Sequence, residues 1–223
     1  MLPHGLIVSC QIPAQSPLHN KASTAVLAMA AQSGGAVAIR AEGFDSIKAI
    51  KEVVSIPVIG LIKTRGVESG VYINSTLSEI QMCIDAGSDF IAIDATGRSR
   101  AGFADLTEFV GAIKELTDTQ IIGDVSNVEE GKLAADSGIS IFATTLSGYT
   151  SNSSKALPDL ELVTSLVKLN AGPVIAEGGY RDLADCKEAF DLGAHAICIG
   201  TAITDPWNST KYYVDGLVEK YAK

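Results

Sequence analysis

The sequence has no basic run longer than a dipeptide, and its 26 acidic residues outnumber 17 basic ones. The net charge is −9 and the pI is near 4.8. Nucleic-acid binding needs clustered Lys and Arg to neutralise phosphates, so no nucleic-acid partner is expected. A small anionic ligand stays open, because a local site can be positive on an acidic protein. No two of the four cysteines (Cys10, Cys83, Cys186 and Cys198) have a zinc-binding or redox spacing. Each lies in an apolar or helical pattern, so buried free thiols and a reducing compartment are expected. The opening MLPHGLIVSC lacks a positive n-region and a cleavage pattern, so a secretory signal is not expected. The apolar stretch 25–39 is broken by Gln32, Ser33 and two glycines, too short and too polar to span a bilayer. The expectation is a soluble, cytoplasmic protein with no membrane partner. Histidine is also scarce: His4 and His19 flank the first strand, and His195 begins the last. None ends a strand, so no metal site is expected.

What is present is a regular alternation. The chain has 223 residues and 47% hydrophobic content, enough for one large domain or two small ones with ample core. Short apolar runs at 5–10, 36–39, 58–62, 90–93, 120–123, 141–143 and 174–177, and a last run ending at Gly200, read as strands. Helical patterns lie between them, at 21–33, 45–54, 77–86, 106–116, 128–137 and 160–169, with one more inside 174–203 and a closing helix at 210–221. Ser75 or Thr76 can cap the third helix. Four helix-to-strand junctions look alike: AQSGGAVAIR, IDAGSDFIAID, ADSGISIFATT and FDLGAHAICIG. Strands that alternate with helices imply a parallel sheet covered on both faces. Eight units imply a single-domain (β/α)8 TIM barrel over residues 1–223. The rival, an open doubly wound sheet, lacks a GxGxxG after the first strand.

In such a barrel the residues that end the strands surround one pocket. Here they are Gln11, Arg40, Lys63, Asp94, Asp124, Thr144 or Thr145, Glu177 and Gly200. Lys63 follows the apolar run VIGLI, so its stem should be buried at the pocket floor, and Arg40 could be a cation that lowers its pKa. A Schiff base, a phosphate contact or an ion pair with Asp94 are the alternatives for Lys63. Gly178, Gly179, Gly200 and Thr201 match the general phosphate site after strands seven and eight. The loop 64–74 has the length of a lid or binding loop.

The motifs MLPHGLIVSCQ, AIRAEG, PVIGLIK, AIDATGRSR, TTLSGYT, VIAEG and GTAIT occur in this order over nearly the whole chain. Together they resemble the bacterial N-acetylmannosamine-6-phosphate 2-epimerases of sialic acid breakdown. The resemblance implies that Lys63 and Glu177 occupy catalytic positions. It places Gln11, Arg40 and Asp124 on substrate-contacting positions, and Thr145 is grouped with them. The family often has an Arg where this chain has Asp205, and Arg98, Lys155 and Arg181 are the candidate replacements. No cofactor or metal is implied, and the substrate would be a phosphorylated N-acetylhexosamine. The expected chemistry is removal of the C2 proton by Lys63, with Glu177 as partner acid or ring-oxygen shuttle. Another sugar-phosphate isomerase or aldolase, or a non-catalytic phosphosugar-binding protein, are the alternatives. Residues 214, 217, 218 and 221 form an apolar stripe expected to dock on the barrel as the eighth helix. The aromatics Trp207, Tyr212 and Tyr213, together with the family's habit of dimerising through this helix, imply a homodimer.

Overall fold

The computed structural model describes residues 1–64, 70–151, 153 and 156–221. Eight strands, β1 (Gly5–Cys10), β2 (Ala38–Glu42), β3 (Val58–Leu61), β4 (Phe90–Asp94), β5 (Gln120–Asp124), β6 (Phe142–Ala143), β7 (Val174–Glu177) and β8 (Ala196–Ile199), pair in sequence order. All pairs are parallel, and β8 pairs with β1 to close the barrel. The helices are α1 (Lys21–Ser33), α2 (Phe44–Lys51), α3 (Leu77–Asp85), α4 (Leu106–Leu116), α5 (Val128–Asp136), α6 (Leu160–Leu169), α7 (Leu183–Asp191), α8 (Thr201–Thr204) and α9 (Pro206–Tyr221). No described helix is long and apolar enough to cross a membrane.

The two-residue period of a strand sorts the core. Ile7, Ala38, Ile59, Leu61, Ala92, Ile122, Ala143, Ile175 and Cys198 form the barrel interior. Their neighbours Val8, Ile39, Val58, Ile91, Ile121 and Val174 face outward and meet the helices through Ile47, Ile50, Ile80 and Phe109. Close packing also explains Gly60: a Cβ there would collide with Ser88 in the turn before β4 and crowd Ile47 of α2. Polar caps start the helices. Asn20, Asp105, Asn127 and Asp159 each accept a backbone N–H with the side chain. Of the two cap candidates, Thr76 caps α3, in a reciprocal box with Glu79. All four cysteines are buried and free. His195 lies at the opposite end of the barrel from the strand tips, where its Nε2 is 2.9 Å from the Leu2 carbonyl.

Two expectations are corrected. The helix expected over 45–54 was too long: α2 ends at Lys51 and leaves Val53 exposed. The stripe of the closing helix does not dock on its own barrel. The chain turns at Gly200 into α8, whose Thr204 hydroxyl bonds the Ser9 carbonyl at 2.7 Å. Asp205 then caps α9. On α9, Val214, Leu217, Val218 and Tyr221 are each at least half exposed. The hydrophobic period was real, but the stripe stays exposed among the described residues.

Candidate active site

The interior alternation carries the site. Arg40 is two residues beyond Ala38, Lys63 two beyond Leu61, Asp124 two beyond Ile122, Thr145 two beyond Ala143 and Glu177 two beyond Ile175. Each therefore points inward where the apolar layers end. The open choice between Thr144 and Thr145 resolves the same way. Thr145 lines the cavity. Thr144 faces away and bonds the main chain of Glu177 at both N–H and C=O, at 2.9 and 2.7 Å. The cavity has a volume of about 450 Å³.

At its floor, Arg40 is 1% exposed and forms a forked pair with Asp124, at 2.6 and 3.0 Å. Its Nη1 also lies 3.0 Å from Glu177 Oε2. Burial alone would lower the guanidinium's pKa, but Asp124 and then Glu177 outweigh it and hold it above its ordinary value. Glu177 is governed by burial, which pushes its carboxyl up against the opposing pull of Arg40, while Asp124 adds to the rise. The Thr145 hydroxyl sits 2.7 Å from Asp124 Oδ1 and 3.0 Å from Glu177 Oε2. One hydroxyl carries one proton, so it can donate to only one of them; a proton on Glu177 satisfies the other contact. The geometry thus leans the same way as burial, toward a raised Glu177 carboxyl.

Lys63 sits across the cavity. Its Nζ donates to Gln11 Oε1 at 2.6 Å and pairs with Glu42 Oε2 at 3.3 Å. Gln11 is in turn fixed by the Ser9 hydroxyl at 2.9 Å. Neither expected neighbour of Lys63 is the one found. Arg40 is engaged by carboxylates. Asp94 is buried among Thr96, Arg98 and Arg100 and does not line the cavity. Asn74, with φ of 45°, holds the end of β3 in place: its side chain accepts from Ile62 N and donates to the Ala92 carbonyl. Just before Asn74, Tyr72 and Ile73 fold back along Lys63 and wall the cavity. Residues 65–69 of that loop lie outside the described residues. Burial, aided by Asp124 and Asp94, pushes the Tyr72 phenol up to about 12.

Gly178, Gly179, Gly200 and Thr201 all line the cavity on the side of β7 and β8. Gly178 and Gly179 have φ of 109° and 79°, which side chains rarely adopt. A Cβ at Gly179 would also lie 2.5 Å from Leu157 Cβ. Of the candidate replacement cations, Arg181 lines the cavity. Arg98 is held by Asp94 at 2.5 Å and by the Gly70 carbonyl, and Lys155 lies outside the described residues. Asp205 is buried at the α9 cap and does not line the cavity. The sequence reading missed Glu42 and Tyr72. Glu42 was signalled by the step of two from Arg40, because the strand runs on through it. Tyr72 comes from a loop, where no period points to it. No group of three or more His, Cys, Asp or Glu among the described residues could hold a metal.

A closed parallel barrel with acid, base and cationic side chains converging at the strand tips has the form of a (β/α)8-barrel enzyme, with its site at the C-terminal face. A family profile described as "Putative N-acetylmannosamine-6-phosphate epimerase" matches residues 24–219. The chain belongs to this family. It is 43% identical over 221 residues to a relative from Caldanaerobacter subterraneus subsp. tengcongensis, named "Putative N-acetylmannosamine-6-phosphate 2-epimerase", covering 98% of this chain and 93% of that one. A relative of the same name from Clostridioides difficile is 42% identical, with 95% of each covered. The solved structure of the N-acetylmannosamine-6-phosphate 2-epimerase from Clostridium perfringens superposes with a TM-score of 0.90 at 40% identity, over 95% of this chain and 93% of that one. A thiamine phosphate pyrophosphorylase from Pyrococcus furiosus shares the fold, with a TM-score of 0.63 at 15% identity.

Proposed function

We propose that this chain interconverts N-acetylmannosamine 6-phosphate and N-acetylglucosamine 6-phosphate at C2, without a cofactor, in the breakdown of sialic acid and amino sugars. The observation that carries this reading is the placement of Lys63 and Glu177 on one cavity, in a member of this family. Opening the sugar ring exposes an aldehyde at C1, which acidifies the C2 hydrogen. Lys63 takes that proton while the C2–H electron pair moves toward the carbonyl oxygen. Arg40 or backbone donors steady the resulting negative charge. Glu177, whose carboxyl burial pushes up, then supplies a proton to the other face of C2. A positioned acid or base typically contributes about 10²–10⁴-fold. Gln11, Asp124 and Thr145 fix the side chains and the sugar hydroxyls. The glycine turns at Gly178, Gly179 and Gly200, with Thr201, leave room for the phosphate.

The protein works as a homodimer in the cytoplasm. The exposed stripe of α9 and its neighbours Trp207, Tyr212 and Tyr213 support the assembly, because a partner would cover them. Four buried free thiols fit a reducing compartment. The test is proton NMR of N-acetylmannosamine 6-phosphate with enzyme in heavy water. Loss of the C2 proton signal and growth of the glucosamine isomer are expected. Substrate that binds but keeps its C2 proton would refute the proposal.

A further inference from the structure

The cavity has three cationic side chains, Arg40, Lys63 and Arg181, and two of them are engaged. Arg40 is held by Asp124 and Glu177, and Lys63 by Glu42. Among the described residues, Arg181 pairs with no carboxylate. It stands two residues beyond Gly179, at the rim where the glycine turns open. It is solvent-exposed, yet it is not left to wander. Its guanidinium lies over the ring of Tyr212, 4.2 Å from the centroid. That is well within the range of a cation–π contact. Tyr212 belongs to α9, so the contact ties the rim of the cavity to the helix that follows the barrel.

We propose that Arg181 is the cation that receives the substrate's phosphate, and that Tyr212 is the residue that positions it. The proposal rests on the epimerase reading for the identity of the substrate, but not for the chemistry of the contact. A phosphate monoester carries about −1.5 to −2 charge at neutral pH, and the protein as a whole carries −9. An anion entering this cavity needs a local positive group not already neutralised. A guanidinium has the planar fork that meets two phosphate oxygens at once. A cation–π contact with Tyr212 engages the charge of the guanidinium and, unlike an ion pair, ties up none of its N–H groups on a carboxylate. The ring thus restricts where the side chain can go without competing for its hydrogen bonds.

The experiment compares wild type with Arg181→Gln, Tyr212→Ala and Tyr212→Phe. It measures KM and kcat for N-acetylmannosamine 6-phosphate, and the affinity for inorganic phosphate by calorimetry. Arg181 is exposed and pairs with no buried group, so its replacement should leave the fold intact, which circular dichroism checks. Arg181→Gln is expected to raise KM and weaken phosphate binding by about fivefold or more, with a smaller change in kcat, as loss of a charge-assisted contact requires. Tyr212→Ala should show part of the same KM effect, and Tyr212→Phe, which keeps the ring, should return close to wild type. Any smaller change in Arg181→Gln overturns the proposal. A Tyr212→Ala variant equal to wild type, beside an impaired Arg181→Gln, overturns the positioning role. The calorimetric arm needs no turnover, so absence of epimerase activity in wild type would count against the function and leave the Arg181 result readable.

Discussion

Glu177→Gln should separate the chemical role of this residue from what it does to the fold. The substitution keeps the shape of the side chain and removes the titrating group from a cluster in which Asp124 and Glu177 share the Arg40 guanidinium. Burial raises the Glu177 carboxyl's pKa in the folded protein. A raised folded value means that the stability tied to this group is fully present below the unfolded value, about 4.3. It is lost as pH rises through the folded value. At low pH the wild type carries a neutral group at 177, as the variant does, and the two stabilities should nearly coincide. As pH rises, the unfolded wild-type chain gains from ionising Glu177 before the folded one can. Each pH unit between those two titrations removes about 1.4 kcal/mol of wild-type stability relative to the variant. For a chain of this size that opens a gap of about 3–5 °C in Tm per unit. Urea unfolding of both proteins at several values between pH 4 and pH 8 measures the gap. It should widen in the variant's favour and then level off, while the variant's turnover falls by about 10²–10⁴-fold. A gap independent of pH, or one that moves in the wild type's favour as pH rises, would refute the reasoning: the pairing with Arg40 would then outweigh burial.

Lys63→Ala should abolish turnover while the protein stays folded, since Lys63 is only half-buried at a strand tip; activity within a few-fold of wild type would remove the base assignment. Turnover should survive EDTA, and loss restored by a divalent ion would overturn that. Light scattering at micromolar concentration should give twice the 23.2 kDa chain mass. Tyr213→Glu should shift it toward the single chain, and an unchanged mass would move the interface elsewhere. Replacing Gly179 with Val should lower stability as well as substrate affinity, because its Cβ would strike Leu157; unchanged thermal unfolding would count against that packing.

The barrel was legible because a strand buried on both faces and a helix buried on one leave different periods in the sequence. The alternation of these periods fixed the number of strands, and α1, α4 and α6 fell at their expected ends. The pocket was legible because a polar residue directly after an apolar strand has nowhere to point but the mouth. That rule put Arg40, Lys63 and Glu177 on the cavity, with Asp124 fully buried against Arg40. It failed where a strand tip is answered locally: Asp94 satisfies itself against Thr96, Arg98 and Arg100 within its own loop. It stopped short at β2, where Glu42 continues the strand. The partner of Lys63 is set by which neighbouring strand lies within reach, and register is not written in a single strand. The stripe on α9 was read correctly as apolar. Its docking was not, because periodicity tells that a face is to be covered and not by what.

The shortest strand, β6, has one further consequence. Past Ala143, the rung that secures Glu177 is made by the Thr144 side chain, which accepts the Glu177 amide and donates to its carbonyl. Amide exchange with solvent deuterium reports how often such a bond opens. At most positions along the barrel the amide is guarded by backbone, which substitution leaves intact. At Glu177 it is guarded by a hydroxyl that a single base change can delete. Thr144→Ala should therefore raise the exchange rate of the Glu177 amide while leaving β1 and β2 protected. The proposed acid would loosen in time before it moved in space, through a residue that never faces the cavity.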